Sequence, residues 1–171
     1  MLCPYCNHDN IDGIDLCHEC GQPLTDMEEE NSTQLEQTII RRRVSKVCDK
    51  EPFSISPTLT VREAVDLMCQ KKIGCLVVCE GDALVGIFTE RDVLNRVSSD
   101  LNRMDQPVSK FMTAAPETVT KHESIAYTLH AMNLGGYRHM PVVNAERHPV
   151  GIISIRDILR FICGRFAELG A

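Results

Sequence analysis

Tryptophan is missing from this 171-residue chain, and aromatics make up only 5% of it against 43% hydrophobic residues. Any core it builds must therefore be mostly aliphatic. No stretch is long and apolar enough to cross a bilayer as a helix, and no membrane partner is expected. The N-terminus "MLCPYC" has neither a basic n-region nor an apolar h-region, so no secretory signal is expected and the cytoplasm is the expected compartment. Lysine and arginine are absent from residues 1–40, which carry nine Asp and Glu; Arg41 is the first basic residue. That acidic head argues against nucleic-acid binding through the segment, because phosphate neutralisation needs Lys and Arg. Residues 41–171 hold 18 basic and 15 acidic residues, a net of +3 that could hold a small anion. The length fits one compact domain, or one domain with a small appendage.

Cysteine is what the chain has in excess. There are nine, an odd count that disfavours a simple secreted disulfide scaffold. Four lie in "CPYCNHDNIDGIDLCHECG": a C-x2-C pair, ten residues, and a second C-x2-C pair. Two residues between thiolates let one tight turn present both sulfurs to one ion, and two such turns close a tetrahedral site. Cys3, Cys6, Cys17 and Cys20 are the expected ligands of a structural Zn2+, with iron a second option for four thiolates. A full thiolate set leaves no position for a reactive water. So short a segment has little core, and metal binding should supply most of its folding energy. His8 and His18 are possible substitute ligands, with exposed turn positions the expected alternative. The segment resembles a short zinc ribbon. Residues 26–40 form an acidic linker in which a short helix from Thr33, capped by Ser32, is possible.

The rest of the chain is written twice. "VSKVC" at Val44–Cys48 matches "VSKFM" at Val108–Met112, "LMCQKKIGCLVV" at Leu67–Val78 matches "AMNLGGYRHMPVV" at Ala131–Val143, and "LVGIFTERDVL" at Leu84–Leu94 matches "PVGIISIRDIL" at Pro149–Leu159. The offset is 64 and then 65 residues, which marks an internal duplication. Each copy predicts an amphipathic helix (Val61–Lys72; Ser124–Asn133), a strand (Cys75–Cys79; His139–Val143), a turn, a second strand (Leu84–Phe88; Val150–Ile153) and a second helix capped by Thr89 or Ser154. Ala64, Val65, Met68 and Cys69 share one helical face. Cys48, Cys69, Cys75, Cys79 and Cys163 carry no ligand spacing, and core positions are expected for most of them.

The repeated heptads "GIFTERD" (Gly86–Asp92) and "GIISIRD" (Gly151–Asp157) admit two readings. One is a helix start: a hydroxyl N-cap with a carboxylate three residues on. The other is a nucleotide site. A helix N-terminus offers unpaired N–H groups to phosphate, a hydroxyl can donate to it, and the carboxylate can accept from a ribose.

The duplication, the β-α-β-β-α order, "PVV" in the second repeat's strand His139–Val143 and the G-h-h-[ST]-x-x-[DN] turn resemble a pair of cystathionine β-synthase (CBS) domains. The resemblance covers about residues 41–165 and implies an α+β fold: two β-α-β-β-α CBS repeats packed as a pseudo-twofold pair, after a small four-cysteine zinc ribbon. The expected divisions are a ribbon at 1–25, a linker at 26–40, repeats at 41–105 and 106–165, and a tail at 166–171. By resemblance, Asp92 and Asp157 take the ribose of an adenine nucleotide (AMP, ADP, ATP or an S-adenosyl compound), while Thr89, Ser154, Arg91 and Arg156 meet its phosphates. Arg138 and His139 occupy the place of Ile73 and Gly74, so phosphate binding should depend on the second repeat. The family's clefts are completed crosswise, which puts Thr58–Ala64 beside Asp157 and Val119–Ala126 beside Asp92, with Ala64 and Ala126 offering small surfaces to the ligand. The implied function is a regulatory sensor, a homodimer through CBS helices that signals to a protein partner. The competing expectation is a nucleic-acid-binding ribbon gated by the CBS pair. No nucleophile–base pair or open metal site points to an enzyme. Arg41–Arg43 could neutralise phosphate or meet the acidic head, with a solvated linker run as the alternative.

Overall fold

Two helices with apolar faces and two strands per copy need sheets to pack against, and that is how the chain folds. The structure, a computed structural model, describes residues 2, 3, 5–11, 14–24, 42–48 and 50–169. Arg41 and the expected linker helix lie outside the described residues. After a 3-10 turn at Val44–Lys46 come β1 (Ser54–Ile55), α1 (Val61–Lys71), β2 (Cys75–Glu80), β3 (Ala83–Thr89) and α2 (Glu90–Asp92). A π-helical segment, Val93–Val97, continues α2, and 3-10 turns follow at Leu101–Asp105 and Val108–Lys110. The second copy comprises β4 (Thr113–Ala114), β5 (Val119–Thr120), α3 (Ile125–Gly135), β6 (His139–Val143), β7 (Pro149–Ser154) and α4 (Ile155–Leu169). One sheet runs β1-β2-β3-β4, the other β5-β6-β7. Among the described residues no helix is long and apolar enough to cross a membrane.

The expected elements form within a residue or two of their anticipated ends. Thr60 starts α1 by a reciprocal capping box with Glu63, whose carboxylate takes the Thr60 N–H at 3.0 Å while Thr60 accepts from the Glu63 N–H at 3.3 Å. Val61, Ala64 and Met68 form its buried face and pack with Leu76, Val78 and Phe88 of the sheet. Cys69 corrects the expected stripe: it is exposed, one position around from Met68. Cys163 is exposed as well, whereas Cys48, Cys75 and Cys79 are buried as small apolar side chains. The two-residue loop Gly81-Asp82 joins β2 to β3, and Gly81 supplies the positive φ of 60° that such a hairpin needs at its first position.

The chain divides into two compact units: Met1–Asp49 with Val119–Met140 and Ile153–Ala171, and Lys50–Thr118 with Pro141–Ile152. The division explains the matched pair "VSKVC" and "VSKFM". Val44 N–H donates to the Glu123 carbonyl at 2.9 Å, and Ser45 N–H to Lys121 at 3.1 Å. Sixty-four positions on, Val108 N–H donates to Leu59 at 2.8 Å and Ser109 N–H to Pro57 at 3.1 Å. Each copy's leading arm therefore docks on the loop before the other copy's first helix. The bridges Arg43–Ser124 and Thr60–Pro107 complete the exchange.

Candidate functional site

β3 and β7 each end at a hydroxyl that caps the following helix, and in both copies the hydroxyl and the carboxylate three residues on bind each other. Thr89 donates its N–H to Asp92 Oδ2 at 2.9 Å and its hydroxyl to the same oxygen at 2.7 Å, and its Oγ1 accepts the Asp92 N–H at 3.3 Å. Ser154 repeats the pattern with Asp157: N–H to Oδ2 at 3.0 Å, hydroxyl to Oδ2, and Asp157 N–H back to Oγ at 3.3 Å. The first helical N–H is also engaged, Glu90 to the Gly74 carbonyl and Ile155 to the Arg138 carbonyl, each at 3.1 Å. The helix-start reading therefore holds in both copies, with the N–H groups of Thr89, Glu90 and Asp92, and of Ser154, Ile155 and Asp157, already partnered. Three backbone donors per turn are already satisfied, and each hydroxyl proton is committed to the carboxylate.

What distinguishes the two copies is the other carboxylate oxygen. Asp92 is only 6% exposed. Its Oδ1 accepts from the Thr113 hydroxyl at 3.3 Å and lies 3.5 Å from Arg96 Nη1. Arg96 is itself held by the carbonyls of Phe111 and Met112, both at 2.7 Å. A carboxylate has about four acceptor positions, and these contacts use them. Asp157 has a side chain 27% exposed, and its Oδ1 meets Arg160 at 3.4 Å, an arginine side chain 72% exposed. Asp157 thus has one fewer protein donor than Asp92 and a more exposed side chain. Arg96 and Thr113 escaped the sequence reading. The i,i+4 spacing from Asp92 could have suggested Arg96, but nothing local to "VSKFMT" could have placed Thr113.

Arg91, Arg138 and Arg156 are exposed, and His139 is half-buried at the start of β6. Ala126, Arg138, His139, Ser154, Arg156 and Asp157 belong to one unit, and Ala64, Thr89, Arg91 and Asp92 to the other. Ala64 is wholly buried in its unit's core and Ala126 is 7% exposed.

The four head cysteines come together. Their sulfurs all lie within 4.8 Å of one another, with Cys3–Cys20 at 3.7 Å and Cys6–Cys17 at 3.4 Å. A tetrahedral ion with metal–sulfur bonds of about 2.3 Å separates its sulfurs by about 3.8 Å, so the donor set fits a thiophilic metal. Two equivalent turns create it. Cys3 N–H donates to His8 and Asn7 N–H to Cys3, both at 2.9 Å; Cys17 N–H donates to Gln22 at 2.8 Å and Gly21 N–H to Cys17 at 2.9 Å. Asn7 (φ 58°) and Gly21 (φ 68°) both turn the chain through the left-handed region. Buried Asn10 ties the turns together, donating to the His8 carbonyl at 2.9 Å and to Cys17 Sγ at 3.5 Å while accepting the His18 N–H at 3.0 Å. Burial pushes the Cys3 and Cys6 thiols up. Burial would also raise Cys17, but the N–H groups of Cys20 and Glu19, with Cys6 and Asn10, bring it down to about 6.

The family model for the CBS domain matches the chain twice, over residues 44–99 and 108–164. The uncharacterized 17.7 kDa protein in the bps2 3' region of Acidianus ambivalens is 34% identical over 119 residues, 69% of this chain and 71% of its own length. Protein MJ1232 of Methanocaldococcus jannaschii is 32% identical over 126 residues; the match takes in 74% of this chain but only 41% of that protein. Among solved structures, the CBS domain protein PAE2072 from Pyrobaculum aerophilum, complexed with AMP, is 27% identical with a TM-score of 0.63, covering 72% of this chain and 99% of that one.

Proposed function

This chain belongs to the CBS-domain family, and from that premise we propose that it is a regulatory binding protein whose repeats hold an adenine nucleotide and signal its presence to a partner. The observation that carries the proposal is the pair of carboxylates presented by identical turns, of which Asp157 has a side chain 27% exposed. Asp157 would accept from the ribose hydroxyls. Arg138, His139 and Arg156 supply charge and donors for phosphate from the same unit. The Ser154 hydroxyl would turn to phosphate only by leaving Asp157. Asp92, with its positions filled by Thr89, Thr113 and Arg96, would bind more weakly. AMP in the PAE2072 structure supports the ligand class.

The four-cysteine ribbon is proposed to hold a structural Zn2+ and to present a surface to a protein partner. A homodimer is proposed through CBS helices. A groove of about 540 Å3, lined by Val65, Cys69, Ile73, Val93 and Leu94 among others, supports that part.

Equilibrium dialysis of the full chain with AMP, ADP, ATP and S-adenosylmethionine tests the ligand class, with metal analysis of the same sample. One zinc per chain and saturable retention of at least one adenosyl compound are expected. Retention of none overturns the sensor reading. Retention of short DNA or RNA at low salt instead would favour a nucleic-acid function.

A further inference from the structure

The two copies make the same backbone contact at the turn that bears the carboxylate, and that contact fixes which side chains correspond. Glu90 N–H donates to the Gly74 carbonyl and Ile155 N–H to the Arg138 carbonyl, each at 3.1 Å. Glu90 therefore corresponds to Ile155, and Gly74 to Arg138, one position away from the pairing that the sequences alone suggest. In the second copy an exposed guanidinium side chain leaves the backbone at this place, beside an apolar isoleucine. In the first copy the place belongs to a carboxylate. A Cβ added at Gly74 would stand 2.9 Å from Glu90 Oε2, 3.0 Å from its Cδ and 3.2 Å from its Oε1. Glu90 thus lies across the position from which the Arg138 side chain grows in the other copy. Arg91 and Arg156 match each other, so the difference between the turns is a cation exchanged for an anion at one point.

Glu90 also acts on the surroundings of Asp92. Burial pushes the Cys75 thiol up, and the charges of Asp92 and Glu90 push it further, so both carboxylates stand near the start of β2. Two residues of helix rise only about 3 Å. A phosphate on a ribose held at Asp92 would lie within about 8 Å of Glu90, the screening length at physiological salt, and would be repelled. Thr113 and Arg96 already make Asp92 the weaker acceptor. Glu90 adds discrimination by charge.

We propose that Glu90 is a specificity residue that bars phosphate from the first copy: Asp92 takes adenosine, or an adenosine compound with an uncharged or cationic 5′ group, while Arg138 draws phosphorylated nucleotides to Asp157. This rests on the nucleotide reading above.

The test is calorimetry of the zinc-loaded full chain with two probes, AMP and adenosine, which differ by the phosphate alone. In Asp157→Ala, where the first copy keeps its carboxylate, adenosine should bind more tightly than AMP. Adding Glu90→Gln should raise AMP affinity about 5-fold or more and leave adenosine affinity within twofold. The gain should shrink at 1 M salt, where the screening length is about 3 Å. A purely structural effect of the substitution would move both probes at every salt concentration. Ile155→Glu in the otherwise wild-type chain makes the mirror change without Asp157→Ala, and should weaken AMP about 5-fold or more with adenosine within twofold. Equal changes for the two probes, or none, in either Glu90→Gln or Ile155→Glu overturn the proposal and leave the nucleotide reading standing. So does a folded Asp157→Ala protein that binds AMP more tightly than adenosine, or neither of them. A wild type that binds neither probe overturns both.

Discussion

At the scale of single residues, polar side chains decide most. Asn10 is buried in a segment with almost no apolar core, and it spends both ends of its amide on the two cysteine turns. Its loss would free a ligand, not just a contact. Asn10→Ala should weaken zinc affinity about 10-fold or more, measured by competition with a chromophoric chelator. Equal zinc affinity in the two proteins would make Asn10 a spectator. Glu63 gives a pH signature. The Thr60 hydroxyl and N–H hold its carboxyl below the ordinary 4.5. A lowered folded value means that the contribution is complete above the unfolded value and is lost as pH falls through the folded one. The melting temperature of the wild type should therefore exceed that of Glu63→Gln at neutral pH, and the difference should close as pH drops below 4.5. A difference constant with pH would show that the cap does not depend on the charge.

At the scale of elements, the duplication becomes an internal control. α1 ends at Lys72 with φ 54° and ψ 44°, and α3 ends at Gly136 with φ 65° and ψ 25°. Both are left-handed, but only one is glycine. A side chain there costs about 1–2 kcal/mol, partly offset by the extra freedom glycine has when unfolded. Lys72→Gly should raise the urea midpoint and Gly136→Lys should lower it; movement in the same direction would contradict the assignment. Helices and main strands were legible because their periods are local: Val61, Ala64 and Met68 announce a helix, and "CLVVC" announces a strand. The short strands β1, β4 and β5 left no local pattern, and only the resemblance implied a leading strand in each copy, because each is two residues long and exists only where a distant partner supplies its hydrogen bonds. The π-helical Val93–Val97 was equally hidden, since "DVLNRV" and "DILRFI" share an apolar pattern while only the second continues as an α-helix. Gly86 was legible as conserved between copies, and its reason is tertiary: a Cβ would come within 2.5 Å of Met112 Sδ and 3.0 Å of the Thr113 carbonyl in β4.

At the scale of the whole molecule, one unit used twice has been made unequal. The exchanged arms tie each copy to the loop ahead of the other's first helix, and only the first arm is preceded by a ribbon. The carboxylates have diverged as well, Asp92 closed in by Thr113 and Arg96, Asp157 facing solvent beside Arg160. The cysteine cluster was fully legible because metal-ligand spacing is local. The inequality of the two carboxylates was not, since it depends on Thr113 reaching Asp92 across 21 positions. Isothermal titration of AMP into the wild type, Asp157→Ala and Asp92→Ala tests the central claim most directly. Binding should fall by about 10-fold or more in Asp157→Ala, consistent with losing charge-assisted hydrogen bonds to ribose, and by less in Asp92→Ala. Undiminished binding in Asp157→Ala, or a greater loss in Asp92→Ala, would contradict it.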